Sequence, residues 1–192
     1  MGQMVFFNVA WMNYYKGVTP NDRPTHGGAF IPKYGYGFEV YNFLPHEGKM
    51  YGFVEAGCKP KLCRINITKL NASKKDSSVS DILVIWVARH PKEPSTLVVG
   101  WYKNATVYTD RQKSPANSTR RLPNGGNAPY FAIADKENCC LVPTDKRQCV
   151  IPRGEGGLGQ KNIWYATGSL GQKTKAKVLD YINNHKCNTA PR

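Results

Sequence analysis

Aromatic and amide side chains are the groups in this sequence best suited to bind a planar ligand. Indole and phenol rings stack on flat molecules, and an amide donates and accepts hydrogen bonds at a ligand's edge. An extruded or single-stranded nucleobase requires both kinds of contact. We therefore predict a base-binding site, with the candidate residues Trp11, Asn13, Tyr14, Trp101, Tyr102, Asn104 and Trp164.

The charge of the chain indicates a polyanionic partner. Its 192 residues include 27 Lys and Arg against 13 Asp and Glu, which gives a formal net charge of +14. Cations in such excess favour phosphate contacts through counterion release. We predict that the partner is nucleic acid and that its phosphates are bound by Arg120, Arg121, Arg153, Lys161 and Lys173.

The sequence offers little for catalysis or cofactor binding. The four histidines are scattered, and none neighbours a Ser or Cys nucleophile signature. Segment 154–159 matches the dinucleotide pattern G-x-G-x-x-G, but β-prone residues follow it, whereas a pyrophosphate needs a helix N-terminus. We interpret it either as a loop that a sugar-phosphate backbone can approach or as a tight turn. We predict no catalytic residue, no cofactor and no metal site.

A small metal-dependent nuclease is the alternative from another functional class. In that interpretation Asp22 and Glu47 hold a divalent cation, and Lys49 stabilises developing charge. Glu47 lies in a predicted turn, where a solvated carboxylate is the simpler interpretation.

The six cysteines are expected to be free thiols. No leader of basic and then apolar residues precedes the first predicted strand, so we predict a cytoplasmic protein, in which thiols stay reduced. No apolar run approaches the roughly 20 residues that span a bilayer, and we predict no membrane contact. The alternative is a zinc site that joins Cys58 and Cys63 to two of the thiols Cys139, Cys140 and Cys149.

Short strands must position these side chains. Apolar, β-prone runs predict strands over 4–10, 36–43, 49–56, 82–88, 96–108, 130–134, 148–151 and 162–166, with 82–88 at the centre. Only 173–184 has helical periodicity. Because alternate strand residues face opposite sides, we expect at most one of Trp101 and Tyr102 to lie in the core. The pattern favours an α+β fold with a mixed β-barrel, as one domain over 1–186 with a tail or linker over 187–192.

Several segments resemble a prokaryotic family of N-terminal domains in restriction-type endonucleases, often attached to HNH nucleases. The resemblance covers most of residues 4–185 and is carried by segments 5–12, 35–43, 50–54, 84–88, 98–108 and 152–166. The opening strand with Trp11, and the sequence Val-Gly-Trp-Tyr over 99–102, are also similar to EVE domains of the PUA-like superfamily. Segment 58–63 and the basic loop 111–127 do not follow the family pattern.

The resemblance implies a PUA-like (EVE-like) barrel that serves a modification-dependent restriction system as its targeting module. Such a module binds DNA in preference to RNA and extrudes a modified base, such as a substituted cytosine, into an aromatic pocket. The sequence has no HNH-like cluster of histidines and metal ligands, so the resemblance also implies that a nuclease domain or a partner protein performs cleavage. An RNA-binding PUA-like module is the remaining alternative.

Overall fold

The computed structural model describes residues 2–26, 35, 37–59, 62–185 and 187. These residues form an α+β fold with a seven-stranded mixed sheet, a separate two-stranded hairpin and one α-helix. The strands are β1 (Met4–Val9), β2 (Lys49–Gly52), β3 (Cys58–Lys59), β4 (Leu62–Cys63), β5 (Ser78–Arg89), β6 (Thr96–Gln112), β7 (Tyr130–Asp135), β8 (Cys139–Leu141) and β9 (Ile163–Trp164), and the helix is α1 (Gly168–Asn184). Short 3₁₀ helices occupy Phe38–Tyr41, Ile67–Leu70, Lys136–Asn138 and Thr144–Lys146.

The large sheet is open. Its strand order is β2-β7-β6-β5-β1-β9, and β8 pairs with β6 beside this path. β1 runs parallel to β5, and the other pairs of this sheet are antiparallel. The predicted barrel is therefore wrong, because the described residues show no pairing between the end strands β2 and β9. The sheet is instead a layer covered on both faces, which buries its apolar side chains without closure.

Apolar side chains are buried on both faces of this sheet. Along β5, Val84 and Trp86 belong to one core, whereas Ile85 and Val87 belong to the other. The second core lies under α1, which contributes Val178 to it. A strand buried on both faces reads as a continuous apolar run, which explains why the prediction of a central strand over 82–88 is confirmed.

Several element predictions are confirmed and two are wrong. Strands at 4–10, 49–56, 96–108, 130–134 and 162–166 are present with shifted ends, and the predicted helix begins at Gly168. Segment 36–43 is wrong as a strand, because Phe38–Tyr41 is a 3₁₀ helix, although residue 36 itself lies outside the described residues. Segment 148–151 is also no regular strand and contributes only a bridge between Val150 and Leu97. The three-residue strand β8 is too short for a recognisable pattern, and it was not predicted.

Disulfides contradict the expectation of free thiols. Cys140 in β8 is bonded to Cys187 beyond the end of α1, with their Cα atoms 5.8 Å apart, and Cys63 is also disulfide-bonded. Cys139 and Cys149 are free and buried. Among the described residues, no group of three or more His, Cys, Asp or Glu side chains is placed to hold a metal ion, so the zinc alternative has no support there. Disulfides persist mainly in oxidising compartments, and the cytoplasmic location stays a prediction.

The segment that directly follows α1 is tied to the sheet by this bond. Of the predicted tail 187–192, the structure describes only Cys187. Within the described residues, no helix combines the length and the apolarity needed to cross a membrane.

Candidate nucleic-acid interface

Polar residues gather where β1 and β5 end. These neighbouring strands are parallel, with Val9 opposite Ala88, so the segments that follow them leave the sheet at the same end. β6 begins there too, because Thr96 pairs with Arg89. We name this end the strand-end surface. We define it by Asn13 and Tyr14, which follow β1, by Arg89 and His90 at the end of β5, and by Arg153, which contacts Thr96.

A buried carboxylate fixes the loop that follows β1. Asp22 is only 3% exposed, and its two oxygens accept hydrogen bonds from the backbone N–H groups of Asn13 at 2.6 Å and Tyr14 at 2.8 Å. Tyr15 completes the turn with a left-handed φ of 52°, and its hydroxyl donates to the carbonyl of Ala10 at 2.7 Å. Because hydrogen bonds to a carboxylate stabilise by about 1.5–3 kcal/mol each, Asp22 strongly favours this loop conformation.

A buried guanidinium holds the same loop from its other side. Arg147 donates to the carbonyls of Met12 at 2.8 Å, Asn13 at 2.9 Å and Val142 at 2.9 Å. Its carbon Cζ also lies 4.6 Å from the centre of the Trp11 ring. Burial lowers the pKa of Arg147, but the guanidinium remains charged at neutral pH. The loop backbone is thus bonded through its N–H groups by a carboxylate and through its carbonyls by a cation.

This fixed loop presents an aromatic ring to solvent. Tyr14 is 61% exposed, and Asn13 beside it is half-buried. Lys16 and Arg23 are exposed nearby in the sequence, and neither has an ion pair with another described residue. Of the predicted base-binding residues, Asn13 and Tyr14 are therefore the two that the structure brings together at an accessible surface.

The ring of Trp11 is not available for stacking. Trp11 is 7% exposed, and Arg147 covers its ring. His90 packs against it edge-on, with the ring centres 5.0 Å apart. The expectation that Trp11 forms a wall of an open pocket is therefore wrong. The indole lies inside the protein and supports the loop from there.

Three further predicted aromatic residues lie inside the protein. Trp101 is 3% exposed beneath α1, and Tyr102 is completely buried on the opposite face. Trp164 is 5% exposed and packs on Phe6, with the ring centres 5.1 Å apart. The assignment of these rings to a base site is corrected, and so is the expectation that only one of Trp101 and Tyr102 lies in the core. The alternation argument assumed one buried face, whereas this sheet has two.

Asn104 is exposed but remote from the loop. It has a left-handed φ of 51° and lies eight residues after Thr96 along β6. That separation corresponds to roughly 26 Å along a strand. Asn104 therefore cannot read the edge of a base that stacks on Tyr14.

Arg120 cannot bind a phosphate in this structure. It is completely buried, and Nη1 donates to the Ser114 hydroxyl at 2.7 Å and to the Ala128 carbonyl at 3.1 Å. Within the described residues Nε and Nη2 have no hydrogen-bond partner. Burial lowers the pKa of Arg120 to about 10, so the side chain still carries its charge at neutral pH. The phosphate-binding prediction is wrong for this residue.

The other predicted phosphate-binding cations remain accessible to different degrees. Arg121, Lys161 and Lys173 are exposed, although Arg121 already donates to two carbonyls of its own loop. Arg153 is half-buried, and Nη1 donates to Oγ1 of Thr96 at 3.0 Å. Arg153 is therefore the one predicted cation that a described contact joins to Thr96, at the start of β6.

The glycine-rich segment after Arg153 forms a turn. The Gly157 N–H donates to the Gly154 carbonyl at 2.9 Å, and the Leu158 N–H donates to the Pro152 carbonyl at 2.9 Å. A Cβ atom on Gly157 would lie 2.4 Å from the Pro152 oxygen, so the turn requires glycine there. The segment therefore forms a tight turn, and the approach of a sugar-phosphate backbone to it stays a prediction.

The residues of the nuclease alternative already have other partners. Both oxygens of Asp22 are bonded to backbone N–H groups, and Nζ of Lys49 is 2.5 Å from the carboxylate of Asp135. Glu47 is 63% exposed in its turn and accepts from the Asn117 amide at 2.7 Å. This arrangement gives the nuclease alternative no assembled carboxylate pair.

The sequence did not predict the roles of Arg147 and Asp22 in holding the loop after β1. Arg147 was not singled out, because its partners Met12 and Asn13 precede it by 135 and 134 residues. Asp22 was considered only as a metal ligand. Its position in a turn after an aromatic segment was the one available signal, since Asp commonly bonds nearby backbone N–H groups.

Comparisons with known proteins find no matching family model, no matching curated protein and no matching solved structure.

Proposed function

We propose that this chain binds DNA, in preference to RNA, without covalent chemistry and accepts an extruded modified base, such as a substituted cytosine, at the strand-end surface. The ring of Tyr14 stacks on the base, and the amide of Asn13 reads its edge. The chain is the targeting module of a modification-dependent restriction system, and a nuclease domain or partner protein performs cleavage. A PUA-like relationship is part of the same proposal, with an open sheet in place of a barrel.

The observation that carries this proposal is the exposure of Tyr14 on a loop that Asp22 and Arg147 hold from both sides. Stacking on an aromatic ring contributes about 1–3 kcal/mol per base, which helps to offset the few kcal/mol needed to unstack it. A loop that is ordered before binding loses little conformational entropy in the complex. The net charge of +14 adds attraction that does not depend on sequence.

Titrations with labelled oligonucleotides test the proposal. Fluorescence anisotropy is measured with duplexes that contain cytosine, 5-methylcytosine or 5-hydroxymethylcytosine at one position, and with a matched RNA, over a range of salt concentrations. We expect a modified duplex to bind most tightly. Tyr14→Ala is expected to lower affinity roughly 5- to 150-fold, the equivalent of one lost stacking contact.

Two control variants isolate the stacking ring. Tyr14→Phe keeps the ring and is expected to keep most of the affinity, and Val18→Ala removes another exposed apolar side chain, 40% accessible, with little effect. A 2-aminopurine beside the modified base reports its extrusion by a rise in fluorescence. Equal affinities for all duplexes at every salt concentration, with no effect of Tyr14→Ala, would leave only non-specific polyanion binding. Tighter binding of RNA would favour the RNA-binding alternative.

A further inference from the structure

We infer that Arg89 and Arg153 together bind one backbone phosphate at the strand-end surface. The inference rests on the proposed function and adds to it the position at which the nucleic-acid backbone is held. Arg153 was a predicted phosphate ligand on the basis of its charge, whereas Arg89 belongs to no site predicted from the sequence.

The geometry of the β5–β6 pair brings the two arginines together. Arg89 is the last residue of β5 and lies opposite Thr96, the first residue of β6. Directly opposite residues project from the same face of a sheet, with Cβ atoms roughly 4.5–5.5 Å apart. Thr96 is 1% exposed, and its Oγ1 accepts a hydrogen bond of 3.0 Å from Nη1 of Arg153. A buried hydroxyl therefore holds the guanidinium of Arg153 beside the side chain of Arg89.

These two positive charges are not neutralised within the described part of the chain. Its three ion pairs are His46 with Glu47, Lys49 with Asp135 and Arg64 with Asp110, and neither Arg89 nor Arg153 takes part in one. The charge of Arg89 adds to burial in lowering the pKa of Arg153. Two adjacent guanidinium groups without a carboxylate repel each other, and an anion bound between them removes that repulsion.

A phosphate suits this pair of side chains. Guanidinium groups donate paired hydrogen bonds to phosphate oxygens, and such bonds are stronger than those between neutral groups. Gly154 follows Arg153 and faces open space, with no atom within 4 Å of the position of a Cβ, so a bulky backbone can approach. Contacts to phosphates fix the register of a nucleic acid, and a site where β5 ends and β6 begins would fix the position of the strand on the protein.

Inorganic phosphate provides a test that does not depend on DNA binding. The side-chain Nε–H resonances of the arginines are followed by NMR as phosphate is added, with assignments from the variants Arg89→Ala and Arg153→Ala. We expect the resonances of Arg89 and Arg153 to shift along one binding curve. Arg153→Ala is expected to weaken the shift of Arg89. Absence of any shift, or shifts equal to that of the ion-paired Arg64, would overturn the site.

Titration of an unmodified duplex completes the test. Arg89→Ala and Arg153→Ala are each expected to lower affinity roughly tenfold. If one phosphate is shared, the double variant loses little more than either single variant. The slope of log affinity against log salt concentration then falls by about 0.9 in total, not by twice that value. Arg153→Lys keeps the charge but not the paired hydrogen bonds, so it is expected to retain the slope and lose part of the affinity.

The matched control is Arg64→Ala, which lowers the net charge by the same amount but removes an arginine already paired with Asp110 at 2.6 Å. If Arg89→Ala and Arg153→Ala lose no more affinity for the duplex than this control does, the phosphate site is contradicted. Because the duplex is unmodified, loss of affinity in these variants together with equal binding of modified and unmodified DNA would retain the phosphate site and reject base recognition. Tighter binding of modified DNA, with no loss of affinity in the two arginine variants, would reject the phosphate site and retain base recognition.

Discussion

Two arginines are buried in this protein without a carboxylate ion pair among the described residues, and they are used in different ways. Arg147 places Nε, Nη1 and Nη2 each on a backbone carbonyl, and the loop that it holds presents Tyr14 to solvent. Arg120 forms hydrogen bonds only through Nη1, and its Cζ lies 5.6 Å from the centre of the Tyr51 ring, while Nε and Nη2 have no described hydrogen-bond partner. A buried guanidinium stabilises a fold when its hydrogen bonds are complete, and otherwise it retains much of its desolvation cost.

The two guanidinium groups also differ in whether their acceptors have a second hydrogen-bond donor. The hydroxyl of Ser114 donates to the Ala128 carbonyl at 2.5 Å, so the two acceptors of Arg120 also satisfy each other. Within the described residues, the carbonyls of Met12 and Asn13 accept no other hydrogen bond. Removal of Arg147 therefore leaves carbonyl groups unpaired, whereas removal of Arg120 does not.

The largest expected effect is that of Arg147→Met. Methionine fills much of the volume but leaves buried carbonyls without donors and removes the cation from the Trp11 ring. We expect the free energy of unfolding to fall by about 3–5 kcal/mol, measured by denaturant titration. Arg147→Lys, which can satisfy some of these acceptors, is expected to lose less. A loss below about 1 kcal/mol in Arg147→Met would show that the two arginines are equivalent, and the comparison would fail.

Asp22→Ala tests the other half of the same loop. Its loss frees the N–H groups of Asn13 and Tyr14, and we expect destabilisation of about 3 kcal/mol, the lower end of the range for two hydrogen bonds to a carboxylate. Asp22→Asn keeps one acceptor oxygen and is expected to lose about half as much. In combination with Arg147→Met the losses should be less than additive, because both residues order the same segment. Strict additivity would indicate that each acts on a separate part of the structure.

The sequence predicted the sheet better than the site. The apolar, β-branched run over 82–88 indicated a central strand because burial on both faces leaves no polar alternation. The same two-sided burial made the prediction that at most one of Trp101 and Tyr102 lies in the core wrong. No local feature of the β6 sequence reveals that a helix covers one face of the sheet and that loops cover the other face. Asn13 and Tyr14 are accessible because they follow the end of a strand, and their role in base binding stays a prediction.

The cations were the least predictable part, because charge does not reveal burial. Arg120 and Arg121 are adjacent in sequence, yet one is buried and the other exposed. The contacts of Arg147 span more than 130 residues, so no local pattern points to them. The neighbourhood of Arg89 and Arg153 depends on strand register, which the sequence leaves undetermined.

Arg120→Met sharpens the contrast between the two arginines. This substitution removes a buried charge whose donors are only partly used, and Ser114 and Ala128 remain bonded to each other. We expect a change in the free energy of unfolding within about 1 kcal/mol, of either sign. Arg120→Ala serves as the cavity control and should cost more, about 2–4 kcal/mol, because it empties a completely buried volume. A loss in Arg120→Met as large as that in Arg147→Met would show that the unpartnered donors have no energetic consequence.

The smallest expected effect concerns the half-buried residue Glu39 next to the same strand end, whose carboxyl accepts a hydrogen bond from the Ala10 N–H. Burial raises its pKa above the ordinary value of 4.5, and the negative charge of Glu55 adds to this rise. The folded protein thus holds this proton more tightly than the unfolded chain does. The resulting stabilisation is complete below pH 4.5 and is lost as the pH rises through the folded-state pKa. We expect Glu39→Gln, which does not titrate, to gain stability relative to the wild type as the pH rises from about 4 to 7, in parallel denaturant titrations. A stability difference that does not change with pH would show that Glu39, unlike Arg120, experiences little cost of desolvation.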